Sequence, residues 1–277
     1  MMTCLILDVP VYYEEYGKGK PVLCVHGYGV DHRIMSGCLE PVFGQLPGYR
    51  RIYFDLPGMG KTPSAKWIQT SDNMLEVITA FIDEVIGDEN FLIASQSYGG
   101  LLTLGLIKKM PERIDGAALW CPLVTHQCFN GDIPLPGRRV LFKPENLPSP
   151  EEDQNVTAFL DYAVIASPEN LEKYKNDILP GINAADHEFL YSGCFKGSVL
   201  ELDDLYKTIR FDKPACIIAG RQDHAVGYSY AYALLERFPR ATFAVLDCAG
   251  HNLPIDDEPI FSQLIKDWIW RMGINET

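Results

Sequence analysis

Short apolar runs of strand length alternate with helical segments through the first 120 residues, and the same alternation returns near the C-terminal end. Strands and helices that alternate in this way form a mostly parallel sheet with helices on both faces. The strand-like runs are Val11–Tyr16, Val22–His26, Arg51–Phe54, Phe91–Ser95, Gly116–Trp120, Ala215–Ala219 and Thr242–Leu246. The sequence therefore predicts an α/β fold.

Apolar residues at helical spacing predict the helices between and after these runs. The clearest are Ser71–Ile86, Tyr230–Phe238 and Ile260–Met272. In the first of them, Ser71 or Asp72 is the expected N-cap, because the side-chain oxygen of Ser or Asp accepts hydrogen bonds from the first turn of a helix.

The central part of the chain has a different pattern. From Pro122 to about Arg210 the sequence contains many prolines, helical fragments such as Val156–Ala166, and no clear buried strand. We therefore expect residues 1–122 and 211–277 to form the α/β core, and residues 123–210 to form an inserted, mainly helical cap.

The segment Phe91–Gly100 leads from a buried strand directly into a helical segment, Leu101–Met110. A nucleophilic serine at such a turn stands clear of the sheet, and the residues two before and two after it must be small so that strand and helix can pass closely. Ser97 is flanked at these positions by Ser95 and Gly99, which makes it a candidate nucleophile. The alternative is that Ser97 only caps the following helix.

Two further candidates follow strand-like runs. Asp223 comes just after Ala215–Ala219, and His251 comes just after Thr242–Leu246. A serine hydroxyl needs a base to remove its proton, and the carboxyl ends of the strands are the edge at which open α/β sheets bind ligands. Asp247 is the rival carboxylate, but we favour Asp223 because Asp247 is placed to end the last strand.

These motifs together resemble the α/β-hydrolase fold superfamily over essentially the whole chain. The matching segments are His26–Gly29, Asp55–Thr62, Ser95–Gly100, Gly220–Asp223 and Gly250–His251. Ser95 stands where the family motif GxSxG has its first glycine. Five landmarks in the family's order are specific for the fold and much less specific for the substrate.

The resemblance implies a role for each candidate residue. Ser97 attacks the substrate, His251 takes the serine proton and returns it to the leaving group, and Asp223 orients the imidazole. The backbone N–H groups of Tyr28 and Tyr98 hold the oxyanion. No cofactor and no metal is implied.

We therefore expect a serine hydrolase that acts through an acyl-enzyme on a small or medium carboxylic ester, thioester or related acyl compound. Ser97 argues against dehalogenase and epoxide hydrolase chemistry, which in this superfamily uses aspartate at that position. A C–C bond hydrolase and an amide or peptide hydrolase remain alternatives, because they use the same three side-chain types. A ligand-sensing protein with a weakly active or inactive triad is an alternative of a different class.

Charge and hydropathy exclude other functions. With 24 Lys+Arg against 37 Asp+Glu, the formal net charge is −13, which opposes binding to nucleic acid. No apolar run reaches the roughly 18 residues of a membrane span. The N-terminal segment has no basic stretch before an apolar one, so a cytoplasmic location is expected, with a small acyl compound as the partner. The oligomeric state is not predicted.

Two segments resemble other kinds of binding site. Pro57–Thr62 is similar to the end of a phosphate-binding loop, but Asp55 stands where that motif requires glycine, and its carboxylate would repel phosphate. Asp186–Glu188 contains one histidine between two acidic residues, which is more typical of a solvated surface than of a metal site.

Overall fold

The computed structural model describes residues 2–130, 133–192 and 204–274. One eight-stranded sheet forms its centre. The strands are β1 (Met2–Ile6), β2 (Val9–Gly17), β3 (Lys20–Val25), β4 (Tyr49–Phe54), β5 (Phe91–Gln96), β6 (Ile114–Trp120), β7 (Ala215–Gly220) and β8 (Ala241–Leu246). Every predicted strand is present.

The strand order across the sheet is β1-β2-β4-β3-β5-β6-β7-β8. Strands β3 to β8 pair in parallel, and β2 is antiparallel to both of its neighbours. Strand β1 was not predicted. It is joined to β2 by the two-residue turn Leu7-Asp8, and both turn residues have positive φ, as a tight hairpin turn requires.

Eleven helices are found in the described part of the chain. They are α1 (Arg33–Phe43), α2 (Ser71–Val85), α3 (Tyr98–Lys109), α4 (Val156–Tyr162), α5 (Pro168–Asp177), α6 (Leu179–Ala184), α7 (His187–Ser192), α8 (Leu205–Thr208), α9 (Ser229–Ala233), α10 (Leu253–Asp256) and α11 (Glu258–Gly273). Helix α1 packs against α11, and α2 packs against α3. These two pairs cover the sheet, which confirms the predicted α/β fold.

Two details of the helix predictions were wrong. The N-cap of α2 is Thr70, whose extended backbone lets its Oγ1 accept a hydrogen bond from the backbone N–H of Asn73 (3.2 Å). Ser71 is already helical, and its Oγ accepts a hydrogen bond from the Tyr98 hydroxyl. The segment predicted as a helix over 230–238 divides into α9 and a 3₁₀ turn at Leu234–Glu236.

The described residues between 123 and 210 contain helices α4 to α8 and add no strand to the sheet. They include a 3₁₀ turn at His126–Asn130 and an isolated bridge between Phe142 and Ile165. Residues 131–132 and 193–203 of this segment lie outside the described residues.

The core lies on both faces of the parallel strands. All residues of β5 and β7 are buried, as strands covered on two sides must be. Trp120 of β6 contacts Phe261 of α11 edge-on, with ring centres 5.2 Å apart, and Trp268 donates a hydrogen bond from its ring N–H to the carbonyl of Pro214. The sheet and α11 therefore form one continuous core. Within the residues described, no helix has both the length and the apolar character needed to cross a membrane.

Gly99 provides a test of how closely α3 approaches the sheet. A Cβ atom at this position would lie 2.3 Å from the carbonyl oxygen of Val25, so Gly99→Ala forces helix and strand apart. We expect the substitution to lower the free energy of unfolding by about 1–3 kcal/mol, although alanine favours helix over glycine.

The control is Gly137→Ala, because a Cβ at Gly137 would meet no atom within 4 Å. Its effect should stay within about 0.5 kcal/mol. Urea denaturation measures both variants, and equal effects would contradict the close approach.

Candidate active site

Ser97 occupies a strained turn between β5 and α3. Its φ is +52° and its ψ is −118°, in a region that residues with a side chain rarely adopt. The turn is held from two sides: the Ser97 N–H donates to the carbonyl of Trp120, and its carbonyl accepts hydrogen bonds from the N–H groups of Gly100 and Leu123. The end of β6 and the segment after it therefore maintain the strain.

Small residues surround this turn, as the motif predicts. A Cβ at Gly100 would lie 2.6 Å from the Cβ of Pro122, and Gly99 lies against β3 in the same way. Ser95 is buried, and its small side chain leaves room for the turn. Ser97 precedes the first residue of α3, but its side chain makes no capping hydrogen bond.

The Ser97 hydroxyl instead faces His251. The distance from Ser97 Oγ to His251 Nε2 is 3.0 Å, and the distance from His251 Nδ1 to Asp223 Oδ2 is 2.9 Å. Because the Asp223 carboxylate can only accept, Nδ1 carries the proton and Nε2 offers its lone pair to the serine hydroxyl. The three side chains come from the ends of β5, β7 and β8, so the parallel sheet brings them together.

Asp223 is fully buried and is oriented by backbone groups. Its Oδ1 accepts hydrogen bonds from the N–H groups of Ala225 (2.9 Å) and Val226 (3.1 Å). Burial by itself raises the pKa of the Asp223 carboxyl, but the charge of His251 and the hydrogen bonds from His251, Val226 and Ala225 outweigh it and leave the pKa below its usual value. Asp223 therefore stays ionised at neutral pH.

Asp247, the rival carboxylate, lies at the surface after β8. Gln222 donates a hydrogen bond from its amide to the Asp247 carbonyl (3.1 Å). The carboxylate that contacts His251 is that of Asp223.

Tyr28 and Tyr98 border the serine from two directions. Tyr98 is the first residue of α3 and directly follows Ser97. Tyr28 lies in the turn after β3, and this turn is close to the serine, because a Cβ at the preceding Gly27 would lie 3.2 Å from the Ser97 Cβ. Their side chains are engaged elsewhere: the Tyr28 hydroxyl donates to the carbonyl of Leu190 (2.5 Å), and the Tyr98 hydroxyl donates to Ser71 (2.8 Å).

His26 joins the turn after β3 to the turn after β4. Its Nδ1 donates to the carbonyl of Gly27 (2.7 Å), and its Nε2 accepts from the N–H of Leu56 (2.9 Å). Burial lowers the pKa of His26, so the ring remains neutral and keeps both hydrogen bonds. This ring therefore stabilises the turn that carries Tyr28.

A cavity of about 550 Å³ opens above Ser97 and His251. We name it the front cavity. Residues of β5, the turn after β3 and the His251 segment form its floor. Its walls come from α4 to α7 and the segment around them, and most of the side chains there are aliphatic or tyrosine: Ala158, Tyr162, Tyr174, Ile178, Leu179, Ile182, Leu190 and Tyr191. The front cavity therefore suits an apolar group attached to a polar reacting centre.

Asp55 and Asp186, the acidic residues near the two segments that resemble other binding sites, both accept hydrogen bonds from neighbouring parts of the chain. Asp55 Oδ1 accepts hydrogen bonds from the backbone N–H and the ring Nδ1 of His32, and Asp55 Oδ2 accepts one from the backbone N–H of Lys61. Asp186 accepts hydrogen bonds from the N–H of Phe189 and the hydroxyl of Ser64. These acidic side chains hold loops in place.

Two groups of side chains in the described residues have the spacing of metal ligands. They are Cys121 with Asp223 and His251, and Asp31 with His32 and Asp55. In the first group, burial raises the pKa of the Cys121 thiol well above its usual value, and the other two members bond to each other. In the second, Asp31 pairs with Arg33, and Asp55 bonds to His32. Each group is thus satisfied as a hydrogen-bonded cluster.

Asp256, which no sequence pattern indicated, ties the His251 segment to the segment before α5. Its Oδ2 accepts from the N–H of Gly250 (2.9 Å), and its Oδ1 accepts from the N–H groups of Val164 (2.9 Å) and Ile165 (3.1 Å). Burial raises the pKa of Asp256 to about 6, although these donors act to lower it. Asp256 and Asp257 are adjacent acidic residues, so no sequence pattern distinguishes them.

Asp256→Ala should therefore be strongly destabilising. It leaves two buried backbone N–H groups and one partly buried N–H group without an acceptor, and each buried one costs about 1–3 kcal/mol. We expect a total loss of at least about 3 kcal/mol. Asp257→Ala removes only the N-cap of α11, worth about 1 kcal/mol. Urea denaturation of both variants checks this, and equal losses would show that Asp256 does not join the two segments.

Comparisons with known proteins place the chain in a family. Residues 22–261 match the model of the alpha/beta hydrolase family. The pimeloyl-[acyl-carrier protein] methyl ester esterase of Legionella pneumophila (strain Corby) is 23% identical over 94% of this chain and 99% of its own length. The alpha/beta superfamily hydrolase from Oenococcus oeni PSU-1 is 28% identical, with a TM-score of 0.88 over 99% of this chain and 100% of that one. A thermophilic esterase from Thermogutta terrifontis is 19% identical, with a TM-score of 0.69 over 98% of each chain. This chain belongs to the alpha/beta hydrolase family.

Proposed function

We propose that this chain is a serine hydrolase that cleaves a small or medium carboxylic ester, or a related acyl compound, through an acyl-enzyme at Ser97. The observation that carries the proposal is the chain of hydrogen bonds from Ser97 through His251 to Asp223. The esterase names of relatives that align over nearly the whole chain support an ester as substrate.

Acylation uses the neutral imidazole as the base. Ser97 Oγ attacks the carbonyl carbon of the ester while its proton passes to His251 Nε2. The negative charge that develops on the carbonyl oxygen is held by the backbone N–H groups of Tyr28 and Tyr98. When the carbon–oxygen bond of the alcohol breaks, the leaving oxygen takes the proton from Nε2.

Deacylation repeats these steps with water. The water oxygen attacks the acyl carbon, and its proton passes to His251 Nε2. The bond from the acyl carbon to Ser97 Oγ then breaks, and Oγ recovers the proton. Asp223 stabilises the imidazolium in both halves of the reaction, because its carboxylate is ionised and lies 2.9 Å from Nδ1.

The segment 123–210 acts as a cap that selects the substrate, with residues 1–122 and 211–277 as the catalytic core. The walls of the front cavity support this division, since they come mainly from α4 to α7. Aliphatic and tyrosine side chains there favour an acyl chain without charge. A cap that closes over the reacting atoms also excludes bulk water from the acyl-enzyme.

Covalent labelling tests the nucleophile directly. A fluorophosphonate probe should modify Ser97 in the folded protein, because the His251 base activates its hydroxyl, and peptide mapping should locate the label there. Ser97→Ala should remain folded and unlabelled, and it should lose hydrolysis of p-nitrophenyl acetate. Absence of labelling in folded wild-type protein would contradict the hydrolase proposal and favour the ligand-sensing alternative.

Asp223→Asn should lower kcat on the order of 10³–10⁴-fold. The asparagine amide would donate to Nδ1 and so place the imidazole proton on Nε2, facing the serine that must be deprotonated. The matched variant Asp247→Asn should change kcat by less than about threefold, since Asp247 is exposed and bonded to Gln222. Comparable losses in the two variants, measured with p-nitrophenyl acetate, would overturn the assignment of Asp223.

A further inference from the structure

A second, smaller cavity adjoins the front cavity at His251. It has a volume of about 100 Å³ and is bounded by α1, α5, α10 and the start of α11. We name it the rear cavity, and the residues it does not share with the front cavity include Gly37, Cys38, Asp177, Ile255 and Glu258. Both cavities are lined by Gln96, His251 and Asn252. The imidazole therefore lines two adjoining cavities of very different size.

Gln96 is the polar side chain at the junction. It is the last residue of β5, it directly precedes Ser97, and only 2% of it is exposed. Its Nε2 lies 3.4 Å from His251 Nε2, and its Oε1 is buried with no hydrogen-bond partner in the described part of the chain. A buried amide oxygen of this kind calls for a ligand or a water as its partner.

The amide of Gln96 is also fixed in place. A Cβ atom at Gly27 would lie 2.1 Å from Gln96 Oε1, so the amide packs directly against the backbone of the turn that carries Tyr28. The amide thus lies next to the base, the nucleophile and the oxyanion turn at once.

The rear cavity has room for water, and a few polar groups interrupt its mainly apolar lining. About three water molecules fill 100 Å³ at the density of the liquid, and each needs two to four polar partners. Gln96, Asn252 and the half-buried Asp177 supply such partners. Lys173 and Glu258 form an ion pair at its border, with side chains that are 38% and 42% exposed, so this border reaches solvent.

In the acyl-enzyme the front cavity contains the acyl group, whereas the rear cavity, which adjoins it at Gln96 and His251, remains open to water. We propose that the rear cavity supplies the hydrolytic water and that Gln96 positions this water for deacylation. The inference rests on the proposed function, because it concerns the second half of the same reaction. It assigns Gln96 as a positioning residue rather than as a base or a nucleophile.

One hydrogen of the water points to His251 Nε2, and the other is donated to Gln96 Oε1. The water oxygen bonds to the acyl carbon as the first hydrogen passes to Nε2. The acyl carbon–Oγ bond then breaks, Ser97 Oγ takes that proton back, and the carboxylic acid leaves.

Single-turnover kinetics with p-nitrophenyl acetate separates the two halves of the reaction. Release of p-nitrophenol measures acylation, and mass spectrometry of quenched samples follows loss of the acetyl group from Ser97. In Gln96→Leu we expect the rate constant of deacylation to fall roughly tenfold or more relative to that of acylation. Because deacylation then limits turnover, kcat and KM should fall together. Gln96→Glu keeps an acceptor oxygen, so it should restore part of the deacylation rate relative to Gln96→Leu.

A matched pair of substitutions tests the cavity itself. Ile255 lines only the rear cavity and Ile182 lines only the front cavity, and both are half-buried. Ile255→Phe should slow deacylation more than acylation, whereas Ile182→Phe should alter acylation and the preferred acyl length. Thermal unfolding verifies that each variant is folded.

The outcomes separate this inference from the proposed function. If no acetyl-enzyme forms at Ser97 in the wild type, the hydrolase proposal fails. If it forms, but Gln96→Leu slows both steps equally or slows neither, Gln96 does not position the water. If Ile255→Phe behaves like Ile182→Phe, the rear cavity is not the source of the water.

Discussion

The backbone of Ser97 is the constraint on which the rest of the site depends. A positive φ at a residue with a Cβ costs free energy, and here the surrounding structure maintains it through hydrogen bonds to Trp120, Gly100 and Leu123. Those partners lie in β6, α3 and the segment after β6, so the turn requires a completed sheet. Glycine at position 99 and a small residue at position 95 remove the steric conflict that the turn would otherwise create.

Buried carboxylates organise the loops at the same edge of the sheet. Asp55, Asp223 and Asp256 each accept hydrogen bonds from at least two backbone N–H groups that lie in loops. Loops at the carboxyl ends of strands have no ladder partners, and a carboxylate can accept several donors at once. One of these three carboxylates also bonds to the His251 imidazole, while Asp256 joins the histidine segment to the segment before α5. The position of His251 and the position of the segment before α5 are thus coupled through a short stretch of chain.

The two cavities beside His251 give the hydrogen-bonded triad an asymmetric surrounding. Both cavities are lined mainly by apolar groups, but the front cavity has a volume of about 550 Å³ and the rear cavity of about 100 Å³. This asymmetry fits the two substrates of an ester hydrolysis, because one is a bulky acyl compound and the other is water. Gln96, which contacts the imidazole and lines both cavities, is the side chain best placed to distinguish them.

The sequence by itself determined the sheet, the elbow and the three catalytic candidates, because these depend on local patterns. Apolar runs predict buried strands, small residues around Ser97 predict the tight turn, and the positions after β7 and β8 predict where Asp223 and His251 emerge. Strand β1 was not predicted, since its apolar residues are mostly exposed at the edge of the sheet, and its turn has no glycine. Thr70 rather than Ser71 is the N-cap of α2, and the Ser71 hydroxyl accepts a hydrogen bond from Tyr98, which is 27 residues away in the chain. The roles of Asp256 and Gln96 were decided only by the tertiary structure, because their partners are 92 and 155 residues away in the chain. Hydrogen bonds and cavities between such distant residues leave no periodic signal in a sequence, and they exist only once the sheet has brought the loops to one edge.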